Sequence, residues 1–332
     1  MKNIKKIFTM VAIVIGLLTF VVGCGKNKKD DEKTLRIGYF PNITHSQALV
    51  MKNQGSLEKK WGDSVQVTWN HFNAGPEEIE AMLAGEIDIG FIGPVPALNA
   101  NVKSSGNIVI ISNATDAGAV LVARKESGIK SIQELSGKKI AVPQLGNTQH
   151  LCLLNIMENY GLKEVGNGGD VTVIGSANAD IVNLLERGDI DAALVPEPWA
   201  STMEKQMDVE ILLDYDEVFL NGNYPTTVVI VNKDYMEKNP QIVKDFLEEH
   251  GDITEYINEN KEAAQKMVND EIEKVTSKKI EDEVISNAFS RMTISTEINQ
   301  DAIMKFAEIS KENGFIEIIP EVENVFVYKF DK

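Results

Sequence analysis

The sequence predicts an α/β protein of two similar lobes with a ligand cleft between them, and three observations carry that prediction. Strand-like and helix-like segments alternate, a block of the first half recurs in the second, and the length suits two domains rather than one. Ala81 to Ala97, "AMLAGEIDIGFIGPVPA", and Leu184 to Ala200, "LLERGDIDAALVPEPWA", match at a displacement of 103 residues, which lays Gly85, Ile87, Asp88 and Ala97 on Gly188, Ile190, Asp191 and Ala200. Each copy reads as an apolar-periodic helix stopped by glycine, an acidic turn, a short apolar strand and a proline-flanked loop. The same displacement lays Ile37 of "LRIGYFPNITHSQALV" on Ile140 of "KKIAVPQLGNTQHLCLL". Each half therefore opens with a strand, a proline, and Asn-Ile-Thr-His or Asn-Thr-Gln-His leading into a helix. Such alternation argues for largely parallel sheets, and two copies are too few for a solenoid.

The chain begins with Lys2, Lys5 and Lys6, continues through the apolar run Ile7 to Val22, and reaches Val21-Val22-Gly23-Cys24. This resembles the bacterial lipoprotein signal, cleaved before a cysteine that is then lipidated. The apolar run is shorter than the ~20 residues a spanning helix needs. Residues 1–23 are read as signal peptide, Cys24 as the lipidated residue, and 24–33, containing "GKNKKDDEK", as a polar tether. The expected location is the extracytoplasmic face of the cell membrane, held there by the lipid. The full chain has a formal charge of −17, and the signal peptide carries lysines but no acid, so its removal makes the remainder more negative. Nucleic acid is not an expected partner of such a chain. Cys152 is the one thiol left after Cys24, which excludes a disulfide framework.

Asn107 to Arg124 reads as two strands around Asn113-Ala114-Thr115-Asp116-Ala117-Gly118, and Tyr224 to Asn232, "YPTTVVIVN", as another β-branched strand. Amphipathic helices are expected over 240–269, 280–289 and 301–313. Leu121–Arg124 and Thr226–Ile230 are read as two strands crossing between lobes. Lobe 1 is then 34–121 with 229–332, and lobe 2 is 122–228.

In open α/β sheets ligands sit beyond the carboxyl ends of the strands. Those ends are Pro41–Ser46, Gly93–Ala97, Pro143–Gln149 and Pro196–Ala200, two from each lobe. A helix starting near Thr148 leaves backbone N–H groups unpaired and partly positive, Gly146 permits close approach, and Asn147, Thr148 and Gln149 can cap or donate. The loop Asn42-Ile43-Thr44-His45-Ser46 has the same character. Two such ends meeting in one cleft suit a small anion without an arginine. Asp88 and Asp191 read as structural turn acids. The four histidines lack metal-ligand spacing, and no hydrolase, phosphate-loop or dinucleotide motif occurs, so neither metal, cofactor nor enzymatic activity is expected.

"LRIGYFPNITHSQALV", "LAGEIDIGFIGPVPA", "GKKIAVPQLGNTQ" and "DAALVPEPWA", in that order, resemble the solute-binding proteins of nitrate/sulfonate/taurine-type ABC transporters, most of all the aliphatic-sulfonate-binding lipoproteins. The resemblance implies a two-lobed type II periplasmic-binding-protein fold acting as a monomer, with a small-molecule solute, an ABC permease and its ATPase as partners. It implies ligand loops at Asn42, Thr44, His45 and Ser46, at Gly93, Pro94 and Val95, at Asn113 and Gly118, at Gly146, Asn147, Thr148 and Gln149, and at Glu197 and Trp199. Glu197 complicates an anion site, because at ~4 Å and an effective dielectric of ~20 its repulsion is about 4 kcal/mol. It must point away, meet a cationic group such as the amine of taurine, or be neutralised. A sulfonate or taurine is the leading expectation, with nitrate, bicarbonate or a thiamine-type pyrimidine as alternatives and an enzyme on the same fold as the least favoured.

Overall fold

The computed structural model describes residues 33–327. The signal peptide, Cys24 and all of the tether except Lys33 lie outside the described residues. Among those described, no helix is long and apolar enough to cross a membrane.

In chain order the main elements of the first part are β1 (Lys33–Tyr39), α1 (Ser46–Gln54), α2 (Ser56–Trp61), β2 (Val65–His71), α3 (Gly75–Leu83), β3 (Ile89–Ile92), α4 (Pro94–Lys103) and β4 (Ile108–Ala117). Next come β5 (Ala119–Arg124), β6 (Lys139–Val142), α5 (Thr148–Asn159), β7 (Thr172–Gly175), α6 (Asn178–Arg187), β8 (Ala192–Pro196), α7 (Trp199–Gln206) and β9 (Val209–Leu213). The chain then runs through β10 (Pro225–Asn232), α8 (Lys233–Lys238), α9 (Pro240–Glu259), α10 (Lys261–Thr276), α11 (Asp282–Ser290), β11 (Met292–Ile294), α12 (Gln300–Glu312) and α13 (Val322–Val325).

The strands form two sheets, ordered β11-β4-β10-β3-β1-β2 and β7-β6-β8-β5-β9. Matched along the repeat, β1, β2 and β3 correspond to β6, β7 and β8, and each trio holds the same order in its sheet. The sheets are mixed rather than largely parallel. β1 runs parallel to β3, and β6 parallel to both β7 and β8, but β10 enters antiparallel between β3 and β4, and β5 antiparallel between β8 and β9. Each antiparallel strand has just arrived from the other sheet. Leu121–Arg124 and Thr226–Ile230 are thus not the crossing segments: each lies inside a single sheet. The first crossing is the Ala117–Gly118 step, where both residues have positive φ, 60° and 79°. The second lies between β9 and β10. The Asn113–Gly118 loop read from the sequence is mostly strand for the same reason, since β4 runs on to Ala117 before the chain turns.

Alternation along the strands sorts side chains between cores. In β5, Val120 and Val122 pack with Ile181 and Leu185 of α6, while Leu121 faces a larger core shared by both sheets with α4, α5 and α12. In β1, Leu35, Ile37 and Tyr39 face α1, α9 and α10. The repeated aspartates serve the scaffold in equivalent ways: Asp88 accepts from the backbone N–H of Arg36 at 2.8 Å, and Asp191 from that of Lys139 at 2.9 Å. Arg36 and Lys139 are themselves 103 residues apart, so each acid ties the turn before one strand to the start of its neighbour.

Candidate functional site

A narrow cavity lies between the sheets where the helices begin. Its wall is made by Phe40, Asn42, Thr44 and His45, by Asn73, Ala74 and Gly75, by Gly93 and Pro96, by Pro143, Asn147, Thr148 and Gln149, and by Asn178, Pro196 and Thr226. No aspartate, glutamate, lysine or arginine is in that wall. The starts of α3, α4, α5 and α6, and the 3-10 turn Ile43–His45 that leads into α1, all reach it. The positive ends of several helices therefore border one small space.

The individual groups are set by local structure. Asn147 caps α5, its side-chain oxygen accepting from the His150 N–H at 2.8 Å. Thr148 has its hydroxyl buried and without a partner among the described residues, and that oxygen lies 2.4 Å from where a Cβ on Gly93 would stand. Gly93 belongs to the first lobe and Thr148 to the second, so a side chain at 93 would hold the lobes apart. Asn178, at the start of α6, likewise has a buried side-chain oxygen without a partner. His45 accepts a hydrogen bond at Nδ1 from the Phe40 N–H, 3.2 Å, which leaves the ring proton on Nε2. Burial pushes its pKa down to about 3, so it is a neutral donor and not a cation. Trp199 and Asn42 join the lobes at the cavity mouth, indole Nε1 donating to the amide oxygen at 2.9 Å.

Of the residues expected at the site, Asn42, Thr44, His45, Gly93, Asn147, Thr148 and Gln149 line this cavity, and Trp199 lines the groove beside it. The others are placed elsewhere. Ser46 turns its hydroxyl back to the Ile43 carbonyl. Pro94 and Val95 are buried in the first turn of α4 and are not in the wall. Asn113 lies within β4 and outside the wall, its amide NH2 donating to Asp116 and its backbone carbonyl meeting His250, while its side-chain oxygen is buried without a partner among the described residues. Gly118 is the crossing residue, with Met292 against it. Gly146 supplies its N–H to His150 Nδ1.

Glu197 takes one of the courses left open for it: it points away. It is fully buried, yet its carboxylate accepts from the Ser201 N–H (3.0 Å), the Ser201 hydroxyl (2.9 Å) and Arg291 Nη1 (2.9 Å) instead of facing the cavity. Burial raises its pKa while Ser201 and Arg291 oppose that rise. Arg291 sits between α11 and β11 of the first lobe and also pairs with Glu204 (2.5 Å) and Asp214 (3.0 Å), so one guanidinium clasps three acids of the second lobe. Missed altogether were Asn73–Gly75 and Asn178, although Gly75 and Asn178 are equivalent in the repeat and proline at 76 marks a helix start.

Two sheets joined by two crossings, with a cavity between them, define a two-lobed fold of the periplasmic-binding-protein type. The chain belongs to the NMT1-like family, whose model matches residues 28–270. It is similar to the taurine-binding periplasmic protein of Escherichia coli (strain K12), 30% identical over 60% of this chain and 59% of that protein's length. It is also similar to a Bacillus subtilis (strain 168) protein provisionally named as binding aliphatic sulfonates, 25% identical over 96% of this chain and 95% of that one. In fold it is similar to the alkanesulfonate-binding protein SsuA from Xanthomonas axonopodis pv. citri bound to MOPS. That match has TM-score 0.73 at 20% identity and covers 89% of this chain and 98% of that one.

Proposed function

We propose that this chain is the extracytoplasmic solute-binding component of an ABC importer, lipid-anchored through Cys24, and that it delivers an organic sulfonate to a membrane permease driven by its ATPase. One observation carries the reading: the cavity offers helix starts and neutral donors, and Glu197, which directly follows the wall residue Pro196, is turned away onto Arg291 and Ser201. A monoanionic head group fits such a wall without having to displace a counter-ion. The named functions of the relatives support the same class. Taurine fits less well than a plain sulfonate, because its ammonium would find no carboxylate in the cavity wall.

Thermal-shift and titration measurements on the soluble domain test this. Methanesulfonate and longer alkanesulfonates are expected to bind, and a ligand at 100 times its Kd adds about 2.7 kcal/mol of stability. Stabilisation by nitrate, bicarbonate or a pyrimidine with none by any sulfonate would overturn the reading. Metabolic labelling with a fatty-acid analogue checks the anchor: Cys24→Ser is expected to abolish the label and leave ligand affinity untouched.

A further inference from the structure

Beneath the cavity the first lobe buries an acid, Glu78 of α3. The side chain is fully buried, and neither carboxyl oxygen has a partner among the described residues. The carboxyl group lies over Gly38 of β1 and Gly90 of β3, and a Cβ on either glycine would collide with its Oε1. The acid thus occupies the space that the two glycines leave open. In the second lobe the equivalent place is filled by Ile181 of α6, so the scaffold can be built without an acid there.

Each element around Glu78 runs on into the cavity wall. Gly75 lies almost one turn back along α3, Phe40 follows Gly38 by two residues, and Gly93 follows Gly90 by three, and all three are wall residues. At about 1.5 Å per helical residue and about 3.3 Å per strand residue, the carboxyl group stands roughly 5–10 Å from the space that an anion would fill. No charged neighbour balances it. β3 and β10 bear no ionisable side chain. Those of β1 are exposed Lys33, Arg36, which is engaged by Asp88, and Tyr39, which accepts from Lys52. α4 has only exposed Lys103, and Glu77 and Glu80 of α3 itself are exposed. His45 in the wall is neutral. Burial alone pushes the Glu78 pKa up.

We propose that Glu78 couples solute capture to a proton: the anion enters the cavity together with a proton on the Glu78 carboxyl group, so the protein holds its solute more tightly in acidic than in alkaline surroundings. The proposal rests on the anionic-solute reading above and adds regulation to it. Two unit charges about 10 Å apart at an effective dielectric of ~20 repel by the equivalent of roughly 15-fold in affinity. An anion in the cavity therefore raises the proton affinity of Glu78 by about that factor, and by reciprocity loss of the proton weakens the anion equally. Affinity is full below the pKa of the solute-free protein, falls as pH rises, and levels off above the pKa of the complex.

Calorimetric titration of methanesulfonate and of nitrate into the native protein, Glu78→Gln and Glu78→Ile, between about pH 5.5 and 9, tests it. Both anions stay ionised throughout that range. Glu78 is not a wall residue, and both variants keep Asp116, whose pKa of about 6 falls within it. Native affinity should weaken at least about fivefold as pH rises, and that of each variant by less than about twofold. Titration at one intermediate pH in two buffers of unlike ionisation enthalpy should show proton uptake by the native protein and none by either variant. A native affinity that is constant over the range, or a slope or proton uptake that persists in either variant, would overturn the coupling and leave the anion reading standing. Failure of both anions to bind at any pH would overturn both.

Discussion

Helices α3 and α6 occupy equivalent places in the repeat, yet they turn different residues onto their sheets: Glu78 from α3, Ile181 from α6. Beneath Ile181 lie Ala141 and Ala193, which with it form an ordinary apolar core. At the matching positions under Glu78 are Gly38 and Gly90, paired in register across β1 and β3. A Cβ on either glycine would stand 2.2 Å from the Glu78 carboxyl oxygen. The helix stops, the aspartate anchors and the order of the matched strands are common to both copies. What differs is what each lobe carries on that scaffold, and the same holds for the loops after the repeated strand. Gly93-Pro94-Val95-Pro96 gives the cavity wall its Gly93 and Pro96, whereas Pro196-Glu197-Pro198-Trp199 gives a clasp and a groove wall. The two copies share the helix stops, the aspartate anchors and the strand order, and differ in the residues between the helix and its sheet and in the loop after the repeated strand.

The clasp offers the strongest test of that contrast. Glu197 stands where the first lobe has Pro94, and it is tolerable in the core because Arg291 meets it. Arg291→Met should lower unfolding stability at pH 7 by about 3–5 kcal/mol, the cost of stranding a buried charge, as read from urea denaturation. Glu204 and Asp214 are partly exposed, so water compensates much of their loss. Glu197→Gln in the Arg291→Met background should recover part of the deficit. A single-variant loss under about 1 kcal/mol would mean that Glu197 is already neutral in the native protein.

Thr148 is the next largest. The cap of α5 is made by Asn147, which leaves the Thr148 hydroxyl with no structural duty that the described residues reveal. Thr148→Val should therefore leave stability level or slightly raised, while weakening a sulfonate by about 1.5–3 kcal/mol through loss of a hydrogen bond to a charged group. Calorimetry beside a denaturation curve separates the two effects. Full affinity with reduced stability would remove Thr148 from the site.

How much of this was legible in the sequence follows the range of the interactions involved. The repeat and its period were visible because helix stops, turn acids and strand alternation are local signals, and they foretold a pair of similar lobes. The α5 loop was visible for the same reason. The position of β10 between β3 and β4 was not, since nothing in "YPTTVVIVN" records which sheet will receive it. The fate of Glu197 was hidden too: its partner Arg291 lies 94 residues later, in a stretch whose sequence reads only as an amphipathic helix end. Asn73 and Asn178 could have been found by carrying the repeat one loop further. Ser46, Pro94 and Gly146 lie outside the cavity wall because a loop at a strand end turns only some of its side chains to the cleft.

Glu78 gives the smallest effect and the closest comparison of the two lobes. Its side chain is buried with both carboxyl oxygens unpartnered among the described residues, and burial raises its pKa well above the ordinary value of 4.5. A carboxyl group whose pKa is raised by folding favours the native state fully below its unfolded pKa, and that contribution is lost as pH rises through the folded value. At neutral pH the first lobe therefore bears a penalty that Ile181 spares the second. Glu78→Ile should raise stability by about 1–2 kcal/mol at pH 8, and the gain should shrink as pH falls, levelling off only below 4.5, where Glu78 becomes neutral in the folded and the unfolded chain alike. Asp116, whose pKa burial lifts to about 6, adds a slope of the same sign between its ordinary 3.8 and that value, and it persists in the variant. The glycines supply the control. Gly38→Ala should destabilise the native protein, because the new Cβ meets Glu78, but should be tolerated in Glu78→Ile, where the pair reproduces the Ile181 over Ala141 packing of the second lobe. Additive effects of the two substitutions would show that Glu78 does not occupy the space above Gly38, and a gain independent of pH would show that its ionisation is not what separates the lobes.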